Sequence, residues 1–308
     1  MCHNWTVDPG TPLNVDGIAI GRETADAPAP QLAPGRALEL PRRGKSFIRE
    51  LPGPSGAPTL LLLHGWGATG GLNWFRTFDA LGEHFRVIAP DLRGHGHGLR
   101  SRRVFRLADC ADDCAATLVE LGTGPVIAVG YSMGGPVAQL LWRRHRDLVS
   151  GLVLCATSAG FIPSRRARLP YQSAMLAAVG AARVASLSRI IPGLPAFGTS
   201  SQRLPAWIAD EMRHDWRNIV EAGHSLSTYH AGRWIGEIDV PTAVVCTTRD
   251  RGVRPELQLA LADAIPGATV HPIDDGHLAC AQRSFGPVLL SACTSVARRI
   301  RADAALAT

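Results

Sequence analysis

The sequence has little that would place the chain in a membrane, a disulfide framework or a metal site. A bilayer-spanning helix requires an uninterrupted apolar run of about 18 residues, and no segment of the 308-residue chain provides one. Its seven cysteines are odd in number and show neither C-x-x-C nor Cys/His spacing, so we expect buried reduced thiols. Residues 1–10 lack the basic start and apolar core of a secretory signal, and we therefore expect a cytoplasmic protein.

Lysine is nearly absent, so arginine carries the positive charge. The formal net charge is +6, and Lys45 is the only lysine. The arginines fall in separate groups near residues 100–106, 143–146 and 165–168, and no nucleic-acid-binding motif surrounds them. We interpret them as solvated helix faces and expect no nucleic-acid partner. The charge leaves open a weak attraction to acidic substrates or anionic lipid surfaces.

The distribution of hydrophobic residues predicts a globular α/β protein. Hydrophobic residues make up 46% of the chain and charged residues 19%, which excludes disordered and collagen-like classes. After a Pro- and Ala-rich stretch at 1–35, interpreted as a flexible arm, eight short apolar runs are predicted to be strands. They span residues 36–40, 46–51, 59–63, 86–89, 125–129, 152–156, 242–246 and 268–273.

Segments of helical spacing, such as 107–121 and 136–146, separate most of the later runs. Runs that are apolar throughout predict a mostly parallel sheet that helices cover on both faces. Residues 158–236 interrupt this alternation of strands and helices. They contain helical sequence divided by prolines, with tryptophans and no strong strand. We interpret this segment as an inserted helical cap on a core formed by residues 36–157 and 237–308.

A glycine-flanked serine follows the fifth predicted strand. Residues 130–135 read Gly-Tyr-Ser-Met-Gly-Gly between an apolar strand and a helix. A sharp strand-turn-helix strains the backbone of its central serine and needs small residues two positions before and after, which Gly130 and Gly134 supply. The turn would hold the Ser132 hydroxyl above the sheet, with the first helical N–H groups directed at any oxyanion formed there. An ordinary glycine turn is the alternative interpretation.

A second glycine-rich loop follows the third predicted strand, where residues 64–67 read His-Gly-Trp-Gly. Its backbone can approach a ligand closely. We expect the backbone N–H groups of Trp66 and Met133 to form an oxyanion hole, and Gly65, Trp66 and Met133 to contact the substrate. His64 is interpreted as structural.

A serine nucleophile needs a base, and the base needs an orienting acid. Asp250 follows the seventh predicted strand, and His277 follows the eighth with a glycine before it. The chain order Ser132, Asp250, His277 is the order that this type of nucleophile turn requires. We therefore predict that these three residues are catalytic. A surface ion pair with neighbouring arginines is the alternative interpretation of Asp250.

These features together resemble the α/β-hydrolase superfamily, over about residues 36–301. Residues 87–96, V-I-A-P-D-L-R-G-H-G, are similar to the family's fourth-strand motif, and residues 238–242, I-D-V-P-T, to the approach to its acid-bearing strand. The resemblance implies an eight-stranded, mostly parallel α/β-hydrolase fold with an inserted helical cap. It also implies that the loop at 91–96 is architectural. The chain departs from the family at Thr247, where glycine is common three residues before the acid.

The resemblance implies a cofactor-independent serine hydrolase that cleaves ester or related acyl bonds of a small-molecule substrate through an acyl-enzyme. Ser132 argues against the dehalogenases and epoxide hydrolases of this fold, because those enzymes use an aspartate nucleophile. The turn is similar to those of carboxylesterases, perhydrolases, lactonases and C–C hydrolases alike. A ligand-binding receptor that retains the triad, a C–C hydrolase and an acyltransferase therefore remain alternatives. Neither a metal nor an organic cofactor is implied, and the oligomeric state is not predicted.

Overall fold

One eight-stranded sheet runs through the molecule. The computed structural model describes residues 30–162, 172–174, 176–180 and 205–306. The strands are β1 (Gly35–Leu40), β2 (Gly44–Leu51), β3 (Thr59–Leu63), β4 (Arg86–Pro90), β5 (Val126–Tyr131), β6 (Val149–Cys155), β7 (Thr242–Thr247) and β8 (Thr269–Ile273). Each predicted apolar run is therefore a strand, and only the ends differ.

Helices flank this sheet. They are α1 (Gly70–Trp74), α2 (Phe78–Gly82), α3 (Leu107–Glu120), α4 (Gly134–Arg144), α5 (Ala206–Glu211), α6 (Trp216–Thr228), α7 (Pro255–Ala264) and α8 (Phe285–Leu306). Residues 172–174 and 176–180 are also helical. Helix α4 begins before the predicted start at residue 136, because the turn at Ser132 leads directly into it. Within the described ranges, no helix is long and apolar enough to cross a bilayer.

The sheet order is β1-β2-β4-β3-β5-β6-β7-β8, and β2 alone runs against the others. Strands β3 to β8 pair in parallel with one another. Parallel strands place their carboxyl ends at one edge of the sheet. The loops that follow β3, β5, β7 and β8 therefore emerge side by side, which confirms the predicted mostly parallel fold and brings distant parts of the chain together.

Both faces of the sheet are buried, which explains why its strands are apolar throughout. In β3, Leu61 and Leu63 contribute to the hydrophobic cluster under α3 and α4. The alternate residues Leu60 and Leu62 contribute to the cluster on the opposite face, under α1, α2 and α8. Successive side chains of a strand point to opposite faces, so a central strand needs an apolar residue at every position.

The two ends of the predicted cap meet at its base. Gly160 and His230 form an antiparallel bridge, and the N–H of Ala231 donates a hydrogen bond of 2.7 Å to the carbonyl oxygen of Ala159. An insertion whose ends lie together interrupts the core fold little. The limits 158–236 stay a prediction, because most of residues 163–204 lie outside the described residues, as do residues 1–29 of the predicted arm.

A buried carboxylate holds the described part of the cap against the core. Glu211, at the end of α5, forms an ion pair with Arg49 of β2 and accepts a hydrogen bond from the Thr69 hydroxyl. Both charged side chains are largely removed from solvent. Removing one partner of such a pair would leave a buried charge uncompensated, so this contact holds α5 in one position on the core.

Asp91, at the end of β4, is a second buried carboxylate beside this pair. Its oxygens accept hydrogen bonds from the N–H groups of Gly70, at 2.8 Å, and His97, at 2.9 Å. Burial raises the pKa of Asp91 to about 7, and the Glu211 carboxylate adds to the rise, although the two N–H donors and Arg49 oppose it. Asp91 therefore titrates in the neutral range in the folded protein.

The raised pKa of Asp91 predicts a pH-dependent stability. The folded protein holds a proton that the unfolded chain releases above about pH 4, so stability falls as the pH rises from about 4 to about 7. Between about pH 5 and pH 8, the free energy of unfolding of Asp91→Asn should rise relative to the wild type by up to about 3 kcal/mol. Urea unfolding at both pH values measures this difference.

The control for this experiment is Asp147→Asn, which changes an exposed aspartate. Its free energy of unfolding should follow the wild type across the same pH range. An Asp91→Asn difference that is independent of pH would contradict the assignment of a raised pKa to Asp91.

Candidate active site

The turn after β5 holds its central serine in a strained backbone conformation. Strand β5 ends at Tyr131 and α4 begins at Gly134, and Ser132 between them has a φ of 50°. Its N–H donates to the carbonyl oxygen of Cys155 at 2.9 Å, and its own carbonyl oxygen accepts from the N–H of Gly135 at 3.0 Å. These bonds maintain a conformation that non-glycine residues rarely adopt, and they place Ser132 at the carboxyl edge of the sheet.

Two glycines make this turn possible, as the sequence predicts. A Cβ atom on Gly130 would overlap the backbone of Gly134, and a Cβ atom on Gly134 would overlap the carbonyl group of Leu63. The backbones on either side of Ser132 therefore pass too close for any side chain. An ordinary glycine turn would not need this exclusion at both positions.

Ser132, His277 and Asp250 form one chain of hydrogen bonds. The Oγ of Ser132 lies 3.0 Å from Nε2 of His277, and Nδ1 of His277 lies 2.7 Å from Oδ2 of Asp250. Asp250 follows β7 and His277 follows β8, so the common edge of the parallel sheet brings them to the serine. A carboxylate accepts hydrogen bonds only, so Nδ1 carries the proton and the lone pair of Nε2 faces the serine hydroxyl.

Asp250 is buried, and no arginine among the described residues forms an ion pair with it. Its side chain has 0% exposure, and its Oδ1 accepts hydrogen bonds from the N–H groups of Gly252, at 2.7 Å, and Val253, at 2.8 Å. The neighbouring Arg249 pairs instead with Asp274, at 3.0 Å. Arg249 therefore does not compensate the Asp250 carboxylate, and backbone donors do so instead.

The glycine-rich loop after β3 lies directly against the serine. A Cβ atom on Gly65 would lie 3.5 Å from the Cβ of Ser132, and the N–H of Gly65 donates to Oδ1 of Asn73 at 3.0 Å. Within the described part of the chain, the backbone N–H groups of Trp66 and Met133 donate no hydrogen bond. These two unused backbone donors therefore belong to the residue after Gly65 and to the residue after Ser132.

Comparison with known proteins identifies the family. The sequence profile described as alpha/beta hydrolase fold matches residues 58–284, which is most of the chain. The chain belongs to the α/β-hydrolase family. Among the residues that the structure describes, no three His, Cys, Asp or Glu side chains are grouped so that they could hold a metal ion.

Proteins similar to this α/β-hydrolase include two that are named esterases and one that is named a depolymerase. The pimeloyl-[acyl-carrier protein] methyl ester esterase of Vibrio cholerae is 40% identical over 102 residues, which cover 33% of this chain and 38% of that protein. The poly(3-hydroxyalkanoate) depolymerase of Ectopseudomonas oleovorans is 30% identical over 255 residues, with 79% and 86% coverage. A solved thermophilic esterase from Thermogutta terrifontis, with malate bound, has 26% identity, a TM-score of 0.65, and 87% and 99% coverage.

Trp66 and Met133, two of the predicted substrate-contacting residues of the α/β-hydrolase, differ in how far their side chains are exposed to solvent. Trp66 is 45% exposed, and its Nε1 donates to the carbonyl oxygen of Ile219 in α6 at 2.7 Å, which joins the loop after β3 to the cap. Met133 is fully buried in the core, so its side chain packs against core residues. Leu278, which the sequence analysis did not identify, is 53% exposed directly after His277. The sequence feature that could have indicated Leu278 is its position next to His277, a predicted catalytic residue.

Tyr131 is a further residue that the sequence analysis did not identify as part of the site. Its hydroxyl donates to the carbonyl oxygen of His277 at 2.8 Å and accepts from the N–H of Cys280 at 3.4 Å. Burial raises the pKa of Tyr131, so the hydroxyl keeps its proton at any ordinary pH. The residue directly before the serine therefore holds the loop that carries the histidine.

His64 is buried and neutral, as expected for a structural residue. Burial lowers the pKa of His64 to about 3. Its Nε2 accepts a hydrogen bond of 2.8 Å from the N–H of Leu92, and its Nδ1 lies 2.8 Å from the carbonyl oxygen of Gly65. An uncharged imidazole thus links the loop after β3 to the loop after β4.

Replacement of Tyr131 by phenylalanine tests the anchoring of the histidine loop. Tyr131→Phe removes the acceptor of the Cys280 N–H and the donor to His277. We expect amide hydrogen exchange in residues 277–281 to become about tenfold faster, because one net hydrogen bond contributes about 1 kcal/mol or slightly more. Exchange detected by mass spectrometry measures the change.

Tyr229→Phe is the matched control, since it removes a half-buried tyrosine hydroxyl that donates to Oε1 of Gln139 at 2.7 Å. It should leave exchange in the histidine loop unchanged. Equal effects of the two variants on residues 277–281 would show that Tyr131 has no specific part in anchoring the loop.

Proposed function

We propose that this α/β-hydrolase is a cofactor-independent serine hydrolase that cleaves ester or related acyl bonds through an acyl-enzyme. The observation that carries the proposal is the continuous chain of hydrogen bonds from Ser132 through His277 to the buried Asp250. A hydroxyl that shares its proton with a neutral imidazole, itself oriented by a carboxylate, is the arrangement that activates a serine nucleophile.

In this mechanism, the Oγ of Ser132 attacks the carbonyl carbon of the ester while Nε2 of His277 takes the hydroxyl proton. The imidazolium that forms is stabilised by the carboxylate of Asp250, which keeps its charge. His277 then gives the proton to the leaving alcohol, and the acyl group remains on Ser132. A water molecule repeats the sequence, giving the acid and restoring the serine.

The oxyanion of each tetrahedral intermediate would accept hydrogen bonds from the N–H groups of Trp66 and Met133. Each donor of this kind contributes roughly 3 kcal/mol to the stabilisation of the transition state. The position of Gly65 against Ser132 supports this role, because the absence of a side chain lets the loop backbone approach the reacting carbon. We assign Gly65 and Trp66 to substrate contact on the same grounds, and Met133 through its backbone N–H alone, because its side chain is buried in the core.

A small-molecule ester with an apolar acyl or alcohol part fits the surroundings of Ser132 best. Trp66 and Leu278, which adjoin the predicted oxyanion hole and base, are both large, apolar and exposed. Burying such surface against a ligand is favourable. The names of the relatives, a methyl ester esterase and a depolymerase, favour ester cleavage over C–C bond cleavage.

Chemical labelling tests the nucleophile. The purified protein should hydrolyse p-nitrophenyl esters and form a single adduct with a fluorophosphonate probe at Ser132, detected by peptide mass spectrometry. Ser132→Ala should lose the adduct and at least about a thousandfold in kcat. Ser158→Ala is the control, since it removes a buried hydroxyl that donates to the carbonyl oxygen of Gly160 at 3.0 Å. It should keep both activities.

The proposal fails if the wild type neither turns over any ester of the series nor reacts with the probe. Ligand-induced thermal stabilisation without turnover would then favour a binding protein of this fold. Preferential transfer of the acyl group to an added alcohol would assign the chain to the acyltransferases instead.

The pH dependence of activity tests the base. A general base must be unprotonated before it can accept the hydroxyl proton of Ser132. We therefore expect kcat/KM for a p-nitrophenyl ester to fall on the acid side of its pH profile. A profile that is flat from about pH 5 to about pH 8 would contradict a histidine base.

A further inference from the structure

The acid has a side-chain donor besides the histidine. The hydroxyl of Thr247, the last residue of β7, donates to Oδ2 of Asp250 at 2.8 Å, and this is the oxygen that accepts from Nδ1 of His277. Both Thr247 and Asp250 are buried. Thr247 lies three residues before the acid, at the position where glycine is common in the family. The residue that departs from the family pattern therefore contacts the candidate site directly.

Gln258 of α7 decides which way the Thr247 hydroxyl points. Its Nε2 donates to Oγ1 of Thr247 at 2.8 Å and to the carbonyl oxygen of Val253 at 2.7 Å. Its Oε1 accepts from the backbone N–H of Thr247 at 3.1 Å, which assigns the amide orientation independently. Because Oγ1 already accepts a proton from Gln258, the hydroxyl's own proton is directed to Asp250.

The donors around Asp250 act on both of its oxygens. Oδ1 accepts from the backbone of Gly252 and Val253, while Oδ2 accepts from Thr247, from His277 and, at 3.4 Å, from Nε2 of Gln258. The carboxylate is thus oriented before the histidine bonds to it. Each donor also draws negative charge from the carboxylate, which weakens its stabilisation of an imidazolium. Loss of the Thr247 donor would therefore favour protonated His277.

We infer that Thr247 and Gln258 are positioning residues of this hydrolase: Gln258 directs the Thr247 hydroxyl onto Asp250, which orients the acid and sets the pH range in which His277 is a neutral base. The inference rests on the proposed function, in which His277 acts as the base. It predicts a consequence that simple packing would not produce, because a structural contact affects melting temperature without moving the acid limb of the pH–rate profile.

The test compares hydroxyl-free and hydroxyl-bearing variants. Thr247→Val keeps the shape of the side chain and removes the donor. We expect kcat to fall about tenfold with KM nearly unchanged, and the acid limb to move to higher pH by about half a unit or more. Thr247→Ser restores the hydroxyl and should recover most of kcat and the wild-type limb. Thr247→Ala removes the hydroxyl with less side-chain volume and provides the same test if Thr247→Val does not fold.

Thr248→Val is the matched control on the adjacent residue. The Thr248 hydroxyl contacts the carbonyl oxygen of Ile273, at 3.3 Å, and Oδ1 of Asp274, at 3.1 Å, and does not contact Asp250. This variant should match the wild type in kcat and in its pH profile. Circular dichroism and thermal melts of all variants establish that the folded states are comparable.

A second readout does not depend on substrate. The His277 ring can be followed by NMR during a pH titration, together with the downfield proton shared by Nδ1 and Asp250. We expect the ring of Thr247→Val to become protonated at a higher pH than the wild-type ring, and the Thr247→Ser ring to follow the wild type. Without ester turnover by the wild type, the proposed function fails, yet this titration still tests the positioning.

The inference is overturned if folded Thr247→Val, or Thr247→Ala in its place, has the kcat, the acid limb and the ring titration of Thr248→Val. It is also overturned if Thr247→Ser is as impaired as Thr247→Val, because the hydroxyl would then not be the group responsible.

Discussion

The positive φ of Ser132 is the constraint on which the candidate site depends. A strained residue of this kind costs about 1–3 kcal/mol, and it persists only where the surroundings maintain it. Here the hydrogen bonds to Cys155 and Gly135, and the close backbone contacts at Gly130 and Gly134, prevent relaxation. The strain directs the hydroxyl out of the sheet edge. If that hydroxyl lay flat against the strand, the other residues of the candidate site could not act on it.

Contacts with the core and contacts with the cap both support the candidate site around this turn. Tyr131, directly before the serine, bonds to the histidine loop, so the nucleophile and its partner share one support. The indole of Trp66 bonds to α6, and Glu211 of α5 bonds to Arg49 in the sheet. A displacement of these cap helices would therefore be transmitted to the loop that carries a predicted oxyanion donor.

Much of the fold could be read from the sequence because the relevant signals are local. The eight apolar runs became strands, and their continuous hydrophobicity reported burial on both faces of the sheet. The glycines at 130 and 134 reported a close backbone approach, which only a missing side chain permits. Asp250 and His277 were found because a strand end followed by a polar residue is also a local pattern, and the parallel sheet brings such ends together.

The sequence alone thus determined the class of fold and the three residues of the hydrogen-bonded chain, since each depends on short-range patterning and strand order. The tertiary structure decided which side chains support them. The bond from Tyr131 to the histidine loop and the network of Thr247, Gln258 and Asp250 join residues on different elements, and the sequence marks Thr247 as a departure without showing what it contacts. Such contacts follow from how helices and loops pack in three dimensions, and the same residues in another packing would make different bonds.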